Sequence, residues 1–291
     1  MSFTLTVWGA RGSIPTPGPY TARYGGNTPC LALETDGPAG GRLLVLDAGT
    51  GIRPLGRAVV ERSSEPLVTD LLVSHTHWDH IQGLPFFAPL FDERSEVRIW
   101  GPRQGSIALE RILREQMNPV VFPVPLDELD ATLRVTDVEV GTFTVGDFTV
   151  RAMPLRHPGT TFAYRLSPTA GGRSVVYVTD NELGSGGDYE VGPSWRDDLV
   201  AFVGGADLLI HDAMYTDAEL HRFRGWGHSS HTEAIELAAD GGVKKLVLFH
   251  HRPERDDAAM DAFVGEACAL AARRARGVEV VAAVEGLTLT L

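Results

Sequence analysis

Two cysteines, Cys30 and Cys268, are all that the chain contains, too few for a disulfide framework or a cysteine-built zinc motif. Any metal must therefore be held by histidine and carboxylate. No uninterrupted apolar run is long enough to cross a bilayer, and no basic leader precedes a hydrophobic stretch at the N-terminus. A soluble, unexported protein with no membrane contact is expected, and the scarcity of cysteine fits a cytoplasmic home. Basic residues are also in deficit: Lys and Arg number 26 against 38 Asp and Glu, for a formal charge of −12. That balance argues against an extended nucleic-acid surface. It leaves room for a small anionic substrate, because bound cations dominate a local field. Low-complexity tracts, short-period repeats and interdomain linkers are missing too, so the 291 residues are expected to form one domain spanning 1–291.

What the chain does have is a dense cluster of potential metal ligands, His75-Thr76-His77-Trp78-Asp79-His80, directly after the apolar run Leu71-Leu72-Val73. Imidazole nitrogens and carboxylate oxygens suit zinc and neighbouring first-row metals. A pair of such ions can activate water and stabilise charge on a reacting phosphoryl or carbonyl group. A solvated polar turn is the structural alternative, and three histidines with an aspartate at a strand end argue against it.

Short β-type runs recur along the chain: Phe3 to Trp8, Leu31 to Glu34, Arg42 to Leu46, Asp70 to Val73 and Val97 to Trp100, then Phe143 to Val145, Phe148 to Met153 and Phe162 to Leu166. Further runs cover Ser174 to Val178, Asp207 to Ile210, Lys245 to Phe249, Val278 to Val281 and Leu287 to Leu291. Helical spacing occupies Ser106 to Gln116, Thr232 to Ala239 and Asp257 to Arg274. Those apolar stripes are expected to face the core. Strands in both halves with interspersed helices point to two packed sheets covered by helices on their outer faces. The stretches Gly12 to Gly18 and Gly184 to Pro193 read as loops within the domain.

Other candidate ligands also fall just past apolar runs. His157 follows Phe148 to Leu155, Asp180 ends Val175 to Thr179, and His250 ends Leu246 to Phe249. Each alone reads as a surface histidine or a turn former. Strands of one polarity, however, can bring such ends to a common rim. His250 and His251 point to opposite faces of a strand, so only one can reach a given ion.

With these residues the chain resembles the metallo-β-lactamase fold superfamily, through its H-x-H-x-D-H signature, and more closely its phosphodiesterase and ribonuclease Z-like branch. The resemblance runs through Gly25-Gly26-Asn27-Thr28, Leu46-Asp47-Ala48-Gly49, the hexapeptide, Thr179-Asp180-Asn181, His211-Asp212-Ala213, Gly227-His228-Ser229-Ser230 and Phe249-His250-His251. It implies an α/β fold, an αββα sandwich of two mixed β-sheets flanked by helices, with the site at one edge. It further implies that His75, His77 and His157 hold one metal, that Asp79, His80 and His250 hold the other, and that Asp180 bridges them. The ions expected are two divalent cations, zinc first, with manganese or iron as alternatives.

His77 stands where redox diiron members carry a carboxylate, which favours hydrolysis. Asp180 stands where metallo-β-lactamases proper place a cysteine in the second site or bridge region, which disfavours β-lactams. Asp79 and His228 are expected to act in the reaction, His228 by protonating the leaving oxygen; the alternative is that His228 merely precedes a helix cap formed by Ser229, Ser230 or Thr232. Asp47 and Asp212 read as groups that orient ligand imidazoles. Arg11, Arg252 and Arg255 are candidates for phosphate oxygens, and His251 for a supporting or substrate-facing place. The interval from His157 to Asp180 is too short for the RNA-gripping arm of transfer-RNA processing enzymes.

The function expected is thus a dinuclear phosphodiesterase acting on a small or cyclic nucleotide-type phosphodiester through a bridging hydroxide, with a homodimer as the candidate assembly. The alternatives are a carboxylic ester, lactone or thioester hydrolase and a non-catalytic metal-binding sensory module.

Overall fold

A computed structural model describes residues 2–35, 42–63, 65–184 and 187–291. Most of the loop expected at Gly184 to Pro193 is described, but residues 185–186 lie outside that set. The first half runs β1 (Phe3–Gly9), β2 (Cys30–Thr35), β3 (Leu43–Leu46), α1 (Ile52–Arg62), β4 (Val68–Leu72), α2 (Trp78–Ile81), β5 (Glu96–Pro102), α3 (Leu109–Gln116) and β6 (Thr132–Val138). The second runs β7 (Gly141–Val145), β8 (Phe148–Pro154), β9 (Phe162–Pro168), β10 (Val175–Val178), α4 (Trp195–Val203), β11 (Leu208–Asp212), α5 (Asp217–Phe223) and α6 (His231–Asp240). It ends with β12 (Lys245–Phe249), α7 (Asp257–Arg274), β13 (Glu279–Ala282) and β14 (Thr288–Thr290).

Two seven-stranded mixed sheets result, in the orders β14-β1-β2-β3-β4-β5-β6 and β13-β12-β11-β10-β9-β8-β7. The period-2 alternation of side chains decides which residues meet between them. On β1, Phe3, Leu5 and Val7 enter the core between the sheets, while Thr4 and Thr6 turn away. On β10 and β12 both faces are buried: Val175, Tyr177, Val247 and Phe249 face the other sheet, and Val176, Val178, Leu246 and Leu248 face helices. Continuous apolar runs such as Leu246-Val247-Leu248-Phe249 suit strands covered on both sides. Outside the first sheet, Ile52, Leu55 and Val59 of α1 and Leu109 and Leu113 of α3 cover Val45, Leu71 and Ile99. Leu199 of α4, Ile235 of α6 and Met260 and Phe263 of α7 do the same for the second. The expected αββα sandwich is therefore the observed architecture. Among the described residues, no helix is long and apolar enough to cross a membrane.

Strand polarity positions the site. β3, β4, β5 and β6 are mutually parallel, as are β10, β11, β12 and β13. β8 shares the direction of β10 because each pairs antiparallel with β9. The chain segments leaving β3, β4, β8, β10 and β12 carry Asp47, the hexapeptide, His157, Asp180 and His250 respectively, and Asp212 is the last residue of β11.

Some elements were not visible in the sequence pattern. β6 alternates exposed and half-buried residues and lacks an apolar run, α4 and α5 are short, and the 11 residues of α1 place Ile52, Leu55 and Val59 at helical spacing that Pro54 and Gly56 obscure. The helix expected from Ser106 starts at Leu109, after Gln104 and Ile107 pair with each other in a bridge.

The longest helix, α7, is capped by Asp256, whose carboxylate accepts the Ala259 N–H at 2.8 Å. Asp256→Ala is expected to lower stability by about 1 kcal/mol, read as a lower urea midpoint at unchanged slope; an unchanged midpoint would show that the cap contributes nothing.

Candidate metal centre

The rim gathers all seven expected ligands into one buried cluster in which only His77 is exposed. Asp180 lies at its middle. Its Oδ2 is 3.6 Å from Nε2 of His75 and 3.6 Å from Nε2 of His157, whose Nε2 is in turn 2.9 Å from Nδ1 of His77. Its Oδ1 is 3.2 Å from Nε2 of His80 and 3.2 Å from Nε2 of His250. Asp79 Oδ2 joins that second side, 3.1 Å from His250 Nε2 and 3.4 Å from His80 Nε2.

The residues fit a pair of divalent cations. Nε2 of His75 and Nε2 of His80 are buried without a hydrogen-bond partner, although acceptor oxygens stand close by. Tetrahedral bonds of ~2.1 Å set ligand atoms roughly 3.4 Å apart, which is the spacing found around each oxygen of Asp180. Asp47, Asp79 and Asp180 also bring three buried carboxylates to one place, an arrangement that requires positive charge to offset desolvation.

Hydrogen bonds on the far side of each imidazole decide which nitrogen is offered. Asp47 accepts from His80 Nδ1 at 2.7 Å, from Ser74 N–H at 2.7 Å, from Ser74 Oγ at 2.8 Å and from the Tyr177 hydroxyl at 2.7 Å. Because Ser74 Oγ donates to Asp47, it accepts from His75 Nδ1 at 3.1 Å. His157 Nδ1 donates to the carbonyl of Gly227 at 2.9 Å. Nε2 is thereby left facing the cluster in all three rings.

Ionisation follows the same logic. Burial, with neighbouring His80, holds His75 well below the ordinary histidine range, and burial lowers His157 to about 4 and His77 as well. These rings keep lone pairs available at neutral pH. Burial pushes the carboxyls of Asp180 and Asp79 upward, but His250 and His80 outweigh it and leave both well below the usual range. His80 goes the other way, because Asp180, Asp79 and Asp47 overcome its burial and raise it well above the ordinary value.

The backbone is bent into this shape. Among described non-glycine residues, only Ser13, Asp47, Asp180 and His250 have clearly positive φ, at 65°, 60°, 38° and 58°. Three of them end strands at the rim; the fourth donates its N–H to Asp79 Oδ2 at 2.7 Å and ties the Gly12 to Gly18 loop to the site. Left-handed backbone at branched or polar residues costs about 1–3 kcal/mol each and concentrates at functional sites. Two glycines are required by close approach. A β-carbon at Gly12 would fall 2.3 Å from the His250 ring, and one at Gly227, where φ is +82°, would fall 2.1 Å from His157 Nδ1.

Beside the cluster, His228 stacks on His250 with centroids 4.9 Å apart and packs edgewise on His157 at 5.2 Å. Its Nδ1 donates to Asp212 Oδ2 at 2.9 Å. Burial opposes a charge on His228, but Asp212 raises it to about 9. Asp212, His228 and His250 are close enough to hold an ion themselves. Asp212, however, already accepts from Asn181 N–H, Met214 N–H and Ser229 N–H as well as from His228; it is engaged as a positioning group. Ser230 caps α6 through a capping box with Glu233, so the helix-cap alternative holds for Ser230 while His228 still meets the cluster.

Other sequence readings end elsewhere. His251 turns away and donates Nε2–H to the Ala283 carbonyl at 2.8 Å. Arg11 is fully buried and donates to the carbonyls of Gly25, Arg252 and Arg255. Arg252 and Arg255 both pair with Glu219. None of the three is held toward the cluster as a phosphate receptor by these contacts. Tyr177 and Ser74, which complete the support of the imidazoles, carried no signal in sequence, and Gly227 was marked only as the residue before His228, because nothing in their spacing reveals which ring they touch.

The family described as "Beta-lactamase superfamily domain" matches residues 42–251, and the chain belongs to it. It is a metallo-β-lactamase-fold hydrolase of the ribonuclease Z-like branch, as the signature residues implied. A protein named "Ribonuclease Z" from Prochlorococcus marinus (strain MIT 9303) is 27% identical, with 86% of each chain covered. In fold, the chain is similar to the metallo-beta-lactamase fold protein YhfI from Bacillus subtilis, with a TM-score of 0.69 at 21% identity over 100% of this chain and 99% of that one. It is similar also to unliganded yeast PDE1, with a TM-score of 0.71 at 17% identity over 99% of each chain.

The relatives correct one expectation. A partner limited to a small phosphodiester, with no extended nucleic-acid surface, does not hold for a chain that aligns over most of its length with proteins named as ribonucleases. The physical reason is that net charge is a sum over the whole surface. Ion pairs such as Arg57–Glu61 and Lys244–Asp207 cancel in that sum, while exposed acids such as Glu93, Glu128 and Asp130 precede β5 and β6, at the strand ends opposite the rim, and their fields are screened within about 10 Å.

Removing the carboxylate behind His80 is a direct test of this support. Asp47→Ala is expected to weaken metal affinity about 10–100-fold in a chelator-competition titration, and an unchanged affinity would show that the Asp47–His80 contact does not tune the site.

Proposed function

We propose that this protein is a metal-dependent phosphodiesterase that cleaves nucleotide-bearing phosphodiesters, a class that includes RNA. In this reading His75, His77 and His157 hold one ion, Asp79, His80 and His250 hold the other, and Asp180 serves both. The observation that carries it is the division of the two Asp180 oxygens between the two histidine groups, with the Asp212–His228 pair packed against them. The ribonuclease name of relatives aligned over most of both chains supports the choice of substrate.

Two divalent ions supply Lewis-acid polarisation of phosphoryl oxygens and make a water acidic enough to attack near neutral pH. Zinc is the first choice for these nitrogen and oxygen donors, with manganese or iron as alternatives. The chain's own residues supply the rest. Asp79 places negative charge beside the attacking water and accepts its proton. His228, with Nδ1–H engaged by Asp212, gives a proton from Nε2 to the departing alkoxide. Burial of the cluster excludes bulk water and strengthens each of these electrostatic contacts. A cytoplasmic location, expected from the scarcity of cysteine, stays part of the proposal.

Elemental analysis of the purified protein is expected to find about two divalent ions per chain, with activity on an activated phosphodiester that His77→Ala or Asp180→Ala nearly abolishes. A metal-replete protein inactive on every phosphodiester tested would reject the reaction while leaving the site. His228→Ala should lower kcat by about 10²–10⁴-fold with metal content unchanged, and Asp212→Asn should act in the same direction. Loss of metal in His228→Ala would instead make His228 a ligand.

A further inference from the structure

A buried carboxylate outside the ligand set organises the edge of the site. Glu182 is fully buried, and its Oε2 accepts from the Tyr189 hydroxyl at 2.7 Å, from Gly225 N–H at 2.8 Å and from Gly227 N–H at 3.2 Å. The Gly227 carbonyl takes the His157 Nδ1 proton. One acidic side chain thus clamps both ends of Gly225-Trp226-Gly227, and that tripeptide leads directly into His228.

The residue between the clamped glycines is a tryptophan 61% exposed to solvent. It ends an aromatic ladder that starts beside the Asp–His pair. Tyr215 packs edgewise on His228 at 6.1 Å, Phe223 stacks on Tyr215 at 4.8 Å with a 6° interplanar angle, and Trp226 meets Phe223 edgewise at 5.4 Å. Arg252 caps Phe223 from 5.0 Å. Gly225 and Gly227 adopt φ of +85° and +82° and carry no side chain that could cover the indole. A large apolar ring held rigidly in water beside a reaction site loses little conformational entropy when a flat partner stacks on it. The open part of this one indole is smaller than the about 150–250 Å² that a whole aromatic side chain can bury, and so well below the ~800 Å² per partner of a stable protein interface. It matches a single planar ring.

We infer that Trp226 is the stacking platform for a nucleobase next to the scissile phosphodiester, and that Glu182 is the positioning residue that holds this platform beside His228. The inference rests on the phosphodiesterase reading and deepens it by assigning where the base is recognised. Stacking on an aromatic ring is tolerant of base identity, so the platform selects for a nucleobase rather than for a sequence.

Two esters that release the same para-nitrophenolate test it with the metal-replete protein: the para-nitrophenyl ester of thymidine monophosphate, which carries a base, and methyl para-nitrophenyl phosphate, which does not. The wild type should prefer the first in kcat/KM. Trp226→Ala should lose about tenfold of that preference through KM, and Trp226→Phe should keep most of it. Glu182→Ala should lose preference in the same direction. An undiminished preference in Trp226→Ala, with both esters cleaved, would overturn the inference and leave the phosphodiesterase reading standing. Loss of preference in Trp78→Ala but not in Trp226→Ala would overturn it too, by moving the base to the other exposed indole beside the ligands. Failure of the wild type to cleave either ester would remove both readings together. Repeating the comparison with a short single-stranded RNA and its Trp226→Ala response distinguishes a polymer from a free nucleotide as the source of the base.

Discussion

The constraint on which the rest of the structure depends is the burial of Asp180 between two groups of histidines. A carboxylate removed from water and set beside two more, Asp47 and Asp79, is tolerable only where positive charge gathers on both of its oxygens. The surrounding chain is arranged to keep the cluster in this form. Strand ends turn through left-handed backbone at Asp47, Asp180 and His250, and hydrogen bonds donated to Asp47, Ser74 and Gly227 aim the opposite imidazole nitrogens inward.

The sandwich makes those local strains affordable to the chain as a whole. Strands buried on both faces, such as β10 and β12, move little because each methyl and ring is held in a close-packed interior. A residue one position past such a strand inherits that rigidity. Parallel strand order in each half then sends these end residues to one rim, and the rim between two sheets is where side chains from both halves can share an ion. His75 and His80 come from the first sheet, His157, Asp180 and His250 from the second, so the site also joins the two halves.

The loop after α5 shows how the same rim can carry both support and recognition. Gly227 supports His157 through its carbonyl, and its neighbours present Trp226 to solvent and His228 to the cluster. Glu182, two residues beyond Asp180, links these parts through backbone N–H groups rather than through side-chain chemistry. Changes at this loop are therefore felt at the imidazoles as well as at the surface.

Much of this was legible in the sequence. Apolar runs marked nearly every buried strand, and the hexapeptide, with His157, Asp180 and His250 past strand ends, marked the ligand candidates, because alternation and ligand chemistry are properties of residues themselves. β6 and the short helices α4 and α5 escaped notice, since exposed or brief elements leave weak periodicity, and α1 did because Pro54 and Gly56 interrupt its pattern. Charge misled: a count of acidic and basic residues cannot tell an acid on the far side of the sandwich from one at the rim. By itself the sequence determined the fold class and singled out the residues proposed as metal ligands. Only the tertiary structure decided that Asp180 divides its oxygens between two groups, that Asp47 serves His80 while Asp212 serves His228, that Arg11 is a buried tie rather than a phosphate receptor, and that Glu182 holds Trp226 outward. Those outcomes depend on distances between segments far apart in the chain, which the packing of the two sheets sets and no local pattern encodes.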